Sequence, residues 1–152
     1  MSRKHSRRRG VYVLWFVLYT AVLIYFLFFA EKFGRGTVNS DYHYNLTLFN
    51  TIKLYVKGVD AVGFWISFLN IAGNIIAFVP FGVLVPAIFV KRLKSFPTVL
   101  LLGFLLSLGV EVVQLLTRVG TFDVDDVLLN TIGVALGYVV YLIEHYIRFG
   151  RR

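Results

Sequence analysis

Four apolar runs of membrane-spanning length constrain this chain more than any other feature. They cover residues 11–30, 61–90, 97–117 and 124–147. A helix rises about 1.5 Å per residue, so about 20 residues cross the roughly 30 Å hydrocarbon core of a bilayer. Backbone N–H and C=O groups find no water there and must pair within the protein. Helices satisfy them, so the sequence predicts an all-α polytopic membrane protein, a bundle of four transmembrane helices. Composition agrees, with 58% hydrophobic and 16% charged residues.

The punctuation of the runs refines this picture. Residues 1–10 form a basic tail ahead of the first run, residues 11–147 one membrane domain, and residues 148–152 a second basic tail. The first run is longer than the apolar part of a signal peptide, and Glu31, Lys32 and Phe33 make a poor cleavage site, so it reads as an uncleaved span. Pro80 removes a backbone donor inside the second run and predicts a kink or break. Pro97 suits the first turn of the third helix. In the fourth run, Gly133 and Gly137 stand four residues apart, a spacing that permits close helix approach.

Between the first two runs lies the one long loop. Its residues 42–55 (YHYNLTLFNTIKLY) are rich in aromatic and apolar side chains and read as a short interfacial or re-entrant piece. Asn45 and Thr47 form an N-glycosylation sequon, a match that matters only in a host that glycosylates.

Lys and Arg set the orientation. Eleven of them lie in the N-terminal tail, the connection between the second and third runs, and the C-terminal tail, against five on the other side. By the positive-inside rule both termini face the cytoplasm. The net charge of +8 is therefore assigned to anionic membrane lipids and not to nucleic acid. There is no cysteine, and His5, His43 and His145 lack metal-ligand spacing. No metal or cofactor is expected.

Against this apolar background the polar residues stand out. Glu111, Gln114 and Arg118 share one face of the third helix, and Asp123, Asp126 and Asn130 one face of the fourth. Asn70 and Asn74 share a face of the second. Ser67 and Ser107 fall near the same faces. Topology puts these groups in the outer half of the membrane, where ionisable residues mark a functional site by default. Together they describe an outward-opening polar pocket. Arg118 suits a phosphate or carboxylate, Glu111 is a base or a partner for Arg118, and the amides supply donors and acceptors. The bland alternatives are an N-cap role for Asp123, interhelical glue for Asn70 and Asn74, and a purely structural Glu111–Arg118 pair. Asp125 points away from the cluster and reads as a surface residue.

Three blocks carry a family resemblance: residues 70–82 (NIAGNIIAFVPFG), 111–118 (EVVQLLTR) and 122–138 (FDVDDVLLNTIGVALGY). In order and spacing they resemble the signature blocks of VanZ-like membrane proteins. Residues 44–52 (YNLTLFNTI) resemble the asparagine-leucine-proline-phenylalanine stretch that often precedes them, with Thr47 and Leu48 replacing the usual apolar-proline pair. The resemblance implies a multi-pass protein of the bacterial cytoplasmic membrane, a cell-envelope role and a possible effect on susceptibility to the glycopeptide teicoplanin. It supplies no catalytic mechanism. The expected function is binding of an anionic lipid-linked envelope molecule, such as a cell-wall precursor, or of an acylated glycopeptide. The alternatives are an intramembrane hydrolase or transferase acting on a polyprenyl phosphate, with Asp123 and Asp126 holding a divalent metal, and a structural scaffold.

Overall fold

The computed structural model describes residues 3–29, 42–89, 93–118 and 120–149. Within them the chain runs α1 (Arg3–Phe29), β1 (Tyr44–Asn45), α2 (Asn50–Lys57), α3 (Val59–Val62), α4 (Phe64–Ile88), α5 (Phe96–Thr117), β2 (Phe122–Asp123) and α6 (Val124–Phe149). The four long helices α1, α4, α5 and α6 are each long and apolar enough to cross a membrane, and the all-α polytopic architecture holds. The boundaries shift where local chemistry intervenes. The basic segment is helical, because α1 already begins at Arg3. Lys and Arg are good helix formers, and extending an existing helix costs far less than nucleating one. The second run divides at Gly63, whose φ of 95° ends α3 and starts α4. Pro97 sits in the first turn of α5, as expected.

Rather than breaking at Pro80, α4 continues through both Pro80 and Pro86 to Ile88. In hydrocarbon an opened turn finds no water to replace its hydrogen bonds, so keeping the rest of the helix intact is favoured. Tight packing around the second half of α4 adds to this. A Cβ built on Gly82 would lie 2.1 Å from the Val134 carbonyl oxygen of α6.

Helices α4 and α6 form the most extensive contact of the bundle, and they run parallel. Gly133 meets the carbonyl of Ile75, and one turn on Gly137 meets that of Val79. The glycine pair thus serves packing within the chain, where the absent side chains let two backbones touch. Helix α5 packs antiparallel against this pair. It buries Val99, Gly103, Ser107, Glu111 and Gln114, a stripe repeating every three or four residues.

The bundle is chemically two-ended. Away from the loop, Phe78, Phe81, Val85, Val99, Val134, Tyr138 and Tyr141 form an apolar core, joined by Leu23 of α1. Tyr138 donates its hydroxyl proton to the Lys94 carbonyl at 2.8 Å, tying α6 to the turn before α5. Tyr12 of α1 donates to Glu144 of α6 at 2.9 Å and accepts from Arg148 at 3.0 Å, which places this part of α1 beside the end of α6. The polar residues collect at the opposite, loop end.

Candidate functional site

The site is built where α4 and α6 begin and α5 ends. Each of the three helices contributes polar groups, and they meet in pairs. Asn74 of α4 donates to Asp126 of α6 at 2.6 Å. Asn130, one turn deeper on α6, donates to Ser107 of α5 at 2.8 Å. Glu111, one turn along α5 from Ser107, accepts the Asp123 backbone N–H at 2.9 Å. Glu111, Gln114, Asp123 and Asn130 are buried, while Asn70, Asn74 and Asp126 are half-buried. Asn70 shares a face with Asn74, but no side-chain hydrogen bond joins it to α6 among the described residues. Ser67 is buried with its hydroxyl unpartnered, and the Oδ1 atom of Asn130 is likewise buried and unpartnered.

Arg118 is placed differently from a helical-wheel position. Helix α5 ends at Thr117, and Arg118 caps it in the left-handed conformation at φ 57°. Its exposed guanidinium lies over the Tyr42 ring, 4.6 Å from the centroid. That separation is well within cation–π range. The cation is therefore carried on the rim of the site, above the buried Gln114 and Glu111.

Residues 42–62 close this end of the bundle through contacts that the spacing of apolar residues does not reveal. Strand β1 pairs in parallel with β2, with Tyr44 opposite Phe122 and Asn45 opposite Asp123. The Phe122 N–H donates to the His43 carbonyl at 3.1 Å. The segment of residues 42–55, read as a short interfacial or re-entrant piece, contains most of the short helix α2 (Asn50–Lys57), seated beside this pairing.

Two carboxylates hold the loop down. Asp123 accepts the Asp125 N–H at 2.8 Å, the hydrogen bond of an N-cap. The same carboxylate accepts from the Asn45 amide at 3.1 Å and from the Thr51 hydroxyl. Asp125 is fully buried, which corrects its reading as a surface residue. It accepts the backbone N–H groups of Phe49, Thr51 at 2.8 Å and Ile52 at 3.1 Å. These are among the orphan donors at the start of α2, so a residue 73 or more positions away supplies that helix with its cap. Residues 49–52 cover the face of α6 that carries Asp125.

Sequence reasoning therefore missed Asn45, Thr51 and Asp125. Asn45 lies in the stretch that carried part of the family resemblance, a signal that was present. Its amide is spent on Thr51 and Asp123, so the sequon asparagine is a structural one. Nothing in the local pattern singles out Thr51.

This arrangement sits on the blocks that carried the resemblance. Residues 16–145 match the model of a protein family described as VanZ/LLP1. The chain belongs to the VanZ/LLP1 family. It is similar to Protein VanZ of Enterococcus faecium, 29% identical over 126 residues, which is 82% of this chain and 69% of that protein. No solved structure matches the chain. With four spanning-length helices, this VanZ-like chain is a multi-pass membrane protein, and the polar loop end lies within its matched region.

Proposed function

We propose that this VanZ-like protein uses its loop end to bind an anionic molecule anchored in the membrane. The ligand is a lipid-linked cell-wall precursor or an acylated glycopeptide such as teicoplanin, and binding lowers teicoplanin susceptibility. The excess of Lys and Arg on the connection between α4 and α5 and on both termini supports a bacterial cytoplasmic membrane with the termini inside and the loop end outside.

Arg118 carries this reading. Asp123 and Asp125 have their charge spread over N–H and O–H donors, whereas Arg118 presents its cation at the exposed rim, steadied by Tyr42. Lys53 and Lys57 of α2 are exposed as well, which gives the rim a positive character suited to phosphate or carboxylate. Asn70, Asn74 and Gln114 lie below it as amide groups, and the unpartnered Asn130 Oδ1 suits a ligand donor. Metal-dependent turnover of a polyprenyl phosphate has less to stand on. The Asp123 oxygens already accept three hydrogen bonds, which a cation would have to displace.

Native mass spectrometry of the protein released from bacterial membrane, wild type beside Arg118→Ala, tests the reading. An anionic species retained by the wild type and lost in an equally folded variant supports it. Retention of the same species by both, or no bound species in the wild type, sinks it and leaves the polar layer a structural device.

A further inference from the structure

The segment from Tyr42 to the end of α3 is attached to the bundle in an unusual manner. None of the residues of α2 is fully buried, and α2 also rests against α4. Its hydrogen-bonded attachment is concentrated on two residues of one strand–helix junction. Asp123 takes Asn45 and Thr51, Asp125 takes three backbone N–H groups, and a two-residue β pairing completes the contact. One of those N–H groups belongs to Phe49, a bulky residue held at φ 64°, a conformation that costs free energy and persists only while its surroundings impose it. At the other end of the segment stands Gly63 at φ 95°, a residue able to absorb a large backbone rotation. Tyr42, in the same segment, is the ring that supports Arg118.

We infer that residues 42–62 form a lid over the polar site, latched by Asp123 and Asp125 and hinged at Gly63. The inference rests on the proposed binding site for its purpose, and on the contacts above for its existence. Because the latch is localised, the lid lifts as a unit while the interlocked α4–α6 pair stays closed. Lifting releases strain at Phe49 and frees Arg118 from Tyr42, which opens the rim cation to an anionic head group at the membrane surface.

Hydrogen exchange of the full chain in lipid nanodiscs, read by mass spectrometry without added ligand, tests the lid. The amides of residues 49–57 are expected to exchange together and at least tenfold faster than those at the α4–α6 contact. A disulfide between Tyr44→Cys and Phe122→Cys bridges register partners, whose strand spacing suits the bond, and the chain has no other cysteine. Oxidation of that pair is expected to slow exchange of residues 49–57 about tenfold or more, and reduction to restore it. Asp125→Asn, which weakens the charged acceptor, is expected to speed exchange of the same residues and leave α5 and α6 unchanged. Exchange of residues 49–57 as slow as the bundle, or indifferent to the disulfide, overturns the lid. So does an Asp125→Asn variant that loosens or unfolds the whole bundle. A lid that opens in a protein that retains no anionic species in native mass spectrometry refutes the ligand reading while the lid stands.

Discussion

Replacing Gly137 by alanine adds one methyl group where the backbones of α4 and α6 touch. The new Cβ falls 2.1 Å from the Val79 carbonyl oxygen and 3.0 Å from the Gly82 Cα. Both are backbone atoms and cannot swing aside. Ordinary contact between carbon and oxygen is about 3.3 Å, near the separations at which such pairs are attractive, so α4 and α6 must part locally by about 1 Å. A gap of 0.5–1 Å forfeits about a quarter to a half of each dispersion contact it opens, and overpacking of this kind costs about 1–3 kcal/mol. With the bundle's most extensive helix contact affected, we expect about 3 kcal/mol. Gly73 on the partner helix α4 is the control, since a Cβ there meets nothing within 4 Å. Gly73→Ala is expected to be neutral or to stabilise by up to about 1 kcal/mol through helix propensity. Unfolding of both variants by titration with a denaturing detergent in mixed micelles gives the comparison. If Gly137→Ala is as stable as Gly73→Ala, the backbone contact between α4 and α6 is not the structural keystone argued above.

The remaining predictions concern the two ends of the bundle. Tyr138→Phe removes the hydroxyl bonded to the Lys94 carbonyl and is expected to cost about 1 kcal/mol in the same titration, with no change in bound species. Tyr12→Phe removes the hydroxyl shared by Glu144 and Arg148. It is expected to loosen α1, seen as faster amide exchange of α1 alone, because the half-exposed Glu144–Arg148 pair contributes little by itself. Arg118→Lys keeps the charge but loses the planar fork. Its retention of the anionic species is expected to fall between wild type and Arg118→Ala.

Much of the site was legible in one dimension. Buried positions on α5 repeat with helical period, and Glu111, Gln114 and Ser107 fall on that stripe. Asn74 and Asp126 lie on the predicted faces and meet. The same geometry failed at Arg118 because the helix ends one residue earlier, and a left-handed cap redirects the side chain. It failed at Asp125 because a helical wheel reports direction and not what lies in that direction.

The sequence by itself determined the membrane class, the four spanning helices and the collection of polar residues at one end. These follow from hydrophobic length and the cost of unpaired polar groups in hydrocarbon, both local properties of the chain. Only the tertiary structure decided which polar groups pair, that Gly133 and Gly137 face α4, and that Asp123 and Asp125 fasten the loop. Those outcomes depend on contacts between different elements, most of them between residues more than 50 positions apart. They arise because a buried carboxylate takes whichever donors the assembled bundle brings within reach.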